Sequence, residues 1–581
     1  VPSTSVLPAN PPDPRISSKP EKAPARGWSF LVYGVLLCLF LTQAHAGDKP
    51  PAMAVASAHP AATRAGLEIL QAGGNAFDAA VAVSAALAVV EPYSSGLGGG
   101  GFWLLHRASD AHEVMIDGRE RAPLAAHRDM YLDSQGRPVA GASIDGPLAA
   151  GIPGEPAALA YLAEHYGRLP LRQSLQPAIR LAAEGFKVNE HYRRMAAFRL
   201  GVLQASPAAA RQFLLKNRVP PVGHIIRQPD LAQTLGALAR HGKDGFYGGE
   251  IARRMVKAVR RHGGIWTLAD LRQYEVRERQ PVSGSYRGWR VVSAAPPSSG
   301  GVVLLEMLNM LSGKDLKGLD DADRVHYLVE VMRRAYADRA RWLGDADYVQ
   351  MPLKRLLSPE YARQLANGID MNKATSSSSL ASVRAEGHDT THFSILDQEG
   401  NRVAATLSIN YPFGSGFVAE GTGVLLNDEM DDFSIKPGVA NVYGLVGAEA
   451  NAIAPGKRML SSMSPTFLES PDQVAVLGTP GGSRIITMVL LGLLEAVDGK
   501  DVHAWVSRPR FHHQYLPDVI QVEPGAFDEN LKKALEAKGH KLDQKDRPWG
   551  NMQAIHWNRG RNRVEAASDP RGSGAALVQP R

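Results

Sequence analysis

Cysteine is all but missing. Cys38 is the only one in 581 residues, and it lies in an apolar run near the start of the chain. Once that run is removed the protein has neither disulfides nor a thiol nucleophile, which suits an oxidising compartment and excludes cysteine catalysis. Long hydrophobic runs are scarce too. The one candidate, Trp28 to Leu41, falls short of the roughly 20 residues that a lasting membrane span needs. No strong charge imbalance exists: the net charge is +7 and the pI near 9.3. Lys and Arg are scattered, apart from short clusters such as Arg333-Arg334, so there is no stripe for nucleic acid. The glycine-rich stretch Ser94 to Gly101 lacks the Gly-Lys-Ser/Thr that holds phosphate. No internal repeat is found. His512-His513 has no partner at metal-ligand spacing and reads as structural, so no metal site is expected.

What is present is a chain long enough for about two to four domains, with 57 glycines that favour an enzyme rich in tight turns. Residues 1–46 read as an export signal. Lys19, Lys22 and Arg26 lead into the apolar run, and Ala44-His45-Ala46 offers small-x-small cleavage before Gly47. The expected location is therefore periplasmic or secreted, with anchoring by an uncleaved signal as the alternative.

After the signal, helical periodicity covers Thr63 to Ala72 and, capped by Asn75 and stopped by Pro92, Ala76 to Val90. Strands are expected at Phe102 to His106 and Val114 to Asp117. The segment from Pro156 to about Leu357 reads as mainly helical, including Leu175 to Glu184 and Asp321 to Arg341. It is broken by a rigid turn at Ala295-Pro296-Pro297-Ser298-Ser299-Gly300-Gly301. The serine tract 376–379 reads as a solvent-exposed linker, which sets a boundary near residue 389. Strands His392 to Asp397 and Val403 to Asn410 follow, joined by a turn at Glu399-Gly400-Asn401. The pattern is mixed α and β, with a sheet that begins at Thr390.

Thr390-Thr391 between a linker and a strand is open to two readings. It is a pair of β-branched residues starting a strand, or the place where a backbone cut exposes a new chain end. A terminal threonine carries nucleophile and base together, since its hydroxyl attacks and its own amine takes the proton. Other polar groups have similarly paired readings. Ser408 and Asn410, two apart on a strand, face one side, either a wetted site or solvent. Arg119, at a strand end, is placed to fork onto a carboxylate or to form a surface ion pair. Glu429-Met430-Asp431-Asp432 offers acids for an ammonium, or a simple turn; it lacks the alternating acids of a calcium loop. Ser461-Ser462-Met463-Ser464-Pro465 is by default a turn with serine caps. Gly478-Thr479-Pro480-Gly481-Gly482-Ser483, between a strand and a helix, can aim backbone N–H groups at an oxyanion or merely turn the chain.

Taken together these stretches resemble one family, the γ-glutamyltransferases or glutathione hydrolases, within the N-terminal nucleophile hydrolases. The matching motifs are Gly73 to Ala80, Val90-Glu91-Pro92 with the glycine loop, Gly118-Arg119-Glu120, Asp389 to His392, Asn427 to Phe433, Leu460 to Thr466, Gly478 to Arg484 and Ala567 to Arg571. They span about residue 52 to about residue 572. The resemblance implies an α+β fold, a four-layer αββα sandwich. It implies self-cleavage between Asp389 and Thr390, giving a large subunit (47–389) and a small one (390–581) that stay associated. By the family pattern Thr390 is the nucleophile and Ser408 hydrogen-bonds to it. Gly481 and Gly482 stabilise the oxyanion. Arg119, Ser461 and Ser462 hold the α-carboxylate of a γ-glutamyl group, and Asn410, Glu429 and Asp432 hold its α-amine. Glutathione and other γ-glutamyl compounds are the implied donors, with water, amino acids or dipeptides as acceptors; no cofactor is implied. The segment Pro437 to Lys457, with Tyr443, resembles a lid loop that favours small substrates. Ser408 stands where many relatives have threonine, and Asp389 varies in the family. Two competing readings are a cephalosporin (glutaryl) acylase of the same fold and a non-catalytic binder of γ-glutamyl peptides.

Overall fold

The structure, a computed structural model, describes residues 49–377, 390–436, 438–439, 441, 445 and 447–580. The segment read as an export signal, with Cys38, the residue before the expected cut (Asp389) and Tyr443 lie outside the described residues. No described helix is long and apolar enough to cross a membrane.

The strands of the two large sheets are, in chain order, β1 (Ala52–Ser57), β2 (Gly100–Arg107), β3 (His112–Gly118), β4 (Arg277–Arg279), β5 (Val282–Tyr286), β6 (Trp289–Ser293), β7 (Thr391–Leu396), β8 (Arg402–Ser408), β9 (Thr466–Ser470), β10 (Gln473–Gly478), β11 (Gln553–Asn558), β12 (Arg563–Ser568) and β13 (Ala575–Pro580). One sheet has the order β13-β1-β7-β8-β2-β3-β4 and the other β12-β11-β10-β9-β6-β5. Every pairing in both is antiparallel. The sheets pack face to face, with β7 and β8 against β10 and β11. Helices α1 (Pro60–Gln71), α2 (Ala76–Val90) and α3 (Glu155–His165) cover the first sheet. Helices α4 (Gly300–Leu311), α6 (Ile485–Val497) and α7 (Val502–Ser507) cover the second, and the long α5 (Asp321–Trp342) packs on α4. The result is the αββα sandwich, an α+β fold with helices segregated outside antiparallel sheets.

Period-two alternation explains the middle layers. On β7, Phe393 and Ile395 point toward the α2 side, while Leu396 joins the core shared with the second sheet. The Ser394 hydroxyl, also on that inner face, has the carbonyls of Val476 (3.3 Å) and Gln553 (3.1 Å) within reach of its one proton, tying sheet to sheet. On β8, Val403, Ala405 and Leu407 pack toward α2 and Ala404 toward the second sheet. Both faces are buried, so these strands lack the polar alternation of a solvent-facing sheet. Helix α2 runs over the expected span. The Asn75 side chain accepts from Phe77 N and Asp78 N, and Asp78 returns the bond in a capping box. All of α2 is buried.

The stretch read as mainly helical is so, and it also contains β4, β5 and β6, two of which belong to the second sheet. The helix expected over Leu175 to Glu184 runs Gln176–Glu184, directly after the short helix Leu171–Ser174. Two expectations need correction. Ser377 is buried: its N–H donates to Asp518 (2.7 Å) and its hydroxyl accepts from Arg333, so the serine tract is anchored at its start. Strand β8 ends at Ser408, two residues before the expected limit.

Candidate active site

Register brings the first two site residues together. Thr391 of β7 is paired with Leu407 of β8, so one step further Thr390 lies opposite Ser408. Strand alternation then sends the two threonines different ways. The Thr391 hydroxyl donates to the buried Glu91 carboxylate at 2.8 Å. Thr390, only 6% exposed, instead lines a cavity with Arg119, Ser408, Asn410, Glu429, Asp432, Ser461, Ser462 and Gly482. Gly481 precedes Gly482 in the same loop. The cavity is small, about 20 Å³, which is room for roughly one water.

Asn410 reaches this cavity by a route other than strand alternation. Its backbone is left-handed (φ 73°), a conformation that asparagine tolerates better than most residues. Its N–H donates to Ser408 Oγ at 2.7 Å and its Nδ2 to the Asp428 carbonyl at 3.0 Å. The glycine loop 98–101 runs against this strand end. A Cβ at Gly99 would collide with the Ser408 carbonyl, and one at Gly98 with that of Leu425. These glycines permit close backbone approach.

Arg119 follows β3 and is fully buried, so the surface ion-pair reading fails. Its guanidinium forms ion pairs with Glu429 and with Asp432, the latter at 2.5 Å. Both acids sit on the 3₁₀ turn Glu429–Asp432. Asn427 braces that turn, accepting from Glu429 N (2.9 Å) and Gly151 N (2.9 Å) and donating to Gly98 O and Gly151 O. Burial pushes the carboxyls of Glu429 and Asp432 up, and Arg119 opposes the shift. Beside them burial raises the Glu120 carboxyl to about 8, again against the pull of Arg119. The lid-like segment also meets the site: Leu445 lines the cavity, and Asn441 Nδ2 donates to Asp432 Oδ1 at 3.1 Å.

The serine pair is held by the rigid turn before α4. Ser461 N donates to Pro297 O at 2.9 Å, and Ser299 N donates back to Ser461 O at 2.8 Å. Ser461 Oγ accepts from Met463 N at 3.1 Å. The Gly478–Ser483 loop joins β10 to α6. Gly481 and Gly482 have φ of 139° and 56°, and a Cβ on Gly481 would lie 2.5 Å from Met488 Cε. Among the described residues, neither glycine N–H donates to a protein acceptor. The Tyr336 hydroxyl of α5 donates to the Ser483 carbonyl and pins the loop.

Three residues beside the site were given no role by the sequence: Ser299, Arg339 and Glu91. Arg339 Nε donates to Ser299 Oγ (2.9 Å) and its Nη2 to Ser462 Oγ (3.1 Å). The Pro-Pro-Ser-Ser-Gly-Gly turn was a signal for Ser299; nothing local distinguishes Arg339 from the other basic residues of α5. His512 and His513 are buried with side-chain partners, Thr487 and Gln514 for the first and Asp518 for the second.

The family model for gamma-glutamyltranspeptidase matches residues 62–579. The chain belongs to the γ-glutamyltranspeptidase family. This family member is 44% identical over 557 residues to a glutathione hydrolase proenzyme of Pseudomonas sp. (strain A14), covering 92% of this chain and 96% of that one. It is also 44% identical over 525 residues to the glutathione hydrolase proenzyme of Escherichia coli (strain K12), covering 89% and 90%. Among solved structures, a cephalosporin acylase from Bacillus halodurans superposes with a TM-score of 0.80 at 30% identity, over 91% of this chain and 96% of that one.

Proposed function

We propose that this γ-glutamyltranspeptidase family member is the precursor of an exported γ-glutamyltransferase and glutathione hydrolase. It cuts itself between Asp389 and Thr390 into a large (47–389) and a small (390–581) subunit that remain paired. The observation that carries this reading is one cavity gathering Thr390 with a buried arginine, the buried Glu429 and the partly buried Asp432. A free α-amine has a pKa of about 7.7–8.0, against about 10.4 for lysine, so at neutral pH much more of it is a base. After the cut, the Thr390 amine takes the proton of its own hydroxyl as Oγ attacks the γ-carbonyl carbon. The carbonyl oxygen becomes an oxyanion facing the N–H groups of Gly481 and Gly482. The C–N bond then breaks, the proton passes to the leaving amine, and cysteinylglycine departs from glutathione. Water or an acceptor amine releases the γ-glutamyl ester by the reverse proton path.

An amino-acid head is a zwitterion, and the site offers a match by exchange. The substrate α-carboxylate draws the Arg119 fork from an acid, and the α-ammonium takes the place of the guanidinium beside Glu429 and Asp432, with Asn410 alongside. Ser461 and Ser462 complete the carboxylate side. The glutaryl acylase reading provides nothing to replace Arg119 at those acids, because a glutaryl chain has no amine. Release of nitroaniline from γ-glutamyl and from glutaryl p-nitroanilide separates the two. Faster turnover of the γ-glutamyl compound is expected, and a preference for the glutaryl one would sink the proposal. A binding protein without catalysis predicts one uncut band and no release from either.

A further inference from the structure

A second guanidinium lies behind the serine pair. Arg339, on α5, is 4% exposed, and among the described residues no carboxylate comes within 4 Å of it. The charges that reach it are Asp432, already paired with Arg119, and Arg119 itself. A buried cation with no anion of its own is costly to fold around, so its charge has a use elsewhere. Its hydrogen bonds point to that use. Nη2 donates to Ser462 Oγ at 3.1 Å. Nε donates to Ser299 Oγ at 2.9 Å, and Ser299 Oγ donates in turn to the Ser461 carbonyl at 2.6 Å. Ser461 Oγ accepts from Met463 N. Each serine hydroxyl of the pair thus accepts from a protein donor. A hydroxyl has one proton to give; each of these two accepts one bond from behind, and among the described residues neither gives its proton to a protein acceptor, so that proton is left for a group in the cavity. A hydroxyl polarised by a guanidinium is also a stronger donor.

Resting on the γ-glutamyl reading above, we infer that Arg339 is a positioning residue for the substrate α-carboxylate. It aims the Ser462 hydroxyl directly, fixes Ser461 through Ser299, and adds a second buried positive charge behind the anion that Arg119 receives. Arg339 itself stays one serine away from the substrate. This makes the carboxylate subsite a relay of two arginines and three serines.

The test is steady-state release of nitroaniline from γ-glutamyl p-nitroanilide by wild type, Arg339→Gln, Arg339→Lys and Ser299→Ala, each first checked for processing into two chains and for its melting temperature. Arg339→Gln is expected to raise KM at least tenfold while kcat stays within threefold, because the α-carboxylate is held alike in ground and transition states. Arg339→Lys should recover part of that loss, and Ser299→Ala should raise KM by about threefold or more. KM within twofold of wild type in Arg339→Gln overturns the inference, and so does a fall in kcat with KM unchanged. If Arg339→Gln does not mature, the decision passes to Ser299→Ala and Arg339→Lys, and unchanged KM in both overturns it. Absence of turnover by the wild type would instead overturn the γ-glutamyl reading.

Discussion

Replacing Arg119 by lysine keeps the charge and removes the fork. The guanidinium spans Glu429 and Asp432, and a point-like ammonium cannot hold two partners in that geometry. Substrate binding is an exchange in which one carboxylate replaces another at the arginine while an ammonium replaces the arginine at the acids. The net loss in the variant is therefore set by one charge-assisted hydrogen bond, not by every contact of the group. Such a bond contributes about 1.5–3 kcal/mol. At about 1.4 kcal/mol per factor of ten, Arg119→Lys should lower kcat/KM for γ-glutamyl p-nitroanilide by roughly 10- to 150-fold. The loss should appear mainly in KM, since the α-carboxylate is remote from the breaking bond. Arg119→Met is a harsher change, leaving the buried Glu429 and the partly buried Asp432 without their cation at a cost of about 3–5 kcal/mol of stability. Steady-state kinetics with matched melting curves read both effects. A change in kcat/KM under threefold for the lysine variant, or a loss confined to kcat, would refute the exchange.

Gly481→Ala places a side chain at φ 139° and 2.5 Å from Met488 Cε; the loop must move, and kcat should fall about 100-fold or more through loss of an oxyanion donor, with wild-type kcat as the contrary result. Glu91 gives a pH signature of stability. Its carboxyl is pushed up to about 7 from 4.5 by burial, against the hydrogen bonds from Thr391 and Tyr93. The folded state holds this proton more tightly than the unfolded chain, so the stabilisation is full below pH 4.5 and is lost as pH rises through 7, by roughly 3 kcal/mol. Glu91→Gln should therefore show a smaller drop in stability between pH 5 and pH 8 than wild type; an equal drop in denaturant unfolding would remove Glu91 as a source of it. Glu120, raised to about 8, keeps part of the slope in the variant.

Local chemistry made some of this molecule legible from sequence. Asn75 and Pro92 bracket α2, and Gly400 marks the turn that makes β7 and β8 neighbours. The motif residues of the site were legible through family resemblance, because their convergence on one cavity depends on segments from residue 119 to residue 482. The second sheet was harder to read. Its β5 and β6 are five residues each and lie between helices, while Val291, Val292 and Ser293 are all buried, which erases alternation. The edge strand β13 acquires meaning only by pairing with β1, far away in sequence. Arg339 was invisible for a related reason. Arg333, Arg334, Arg339 and Arg341 read as solvated basic residues of a helix, and only the packing of α5 turns Arg333 and Arg339 inward. Asn410 was placed on a strand by its spacing from Ser408, whereas the chain turns left-handed there.

The claim beneath all of this is that Thr390 becomes a chain end whose amine and hydroxyl do the chemistry. Intact mass and N-terminal sequencing of the purified active protein, beside Thr390→Ala, test it most directly. The account predicts a small chain beginning at Thr390 in the wild type and a single, inactive chain in the variant. An active protein in which residue 389 is still joined to residue 390 would contradict it.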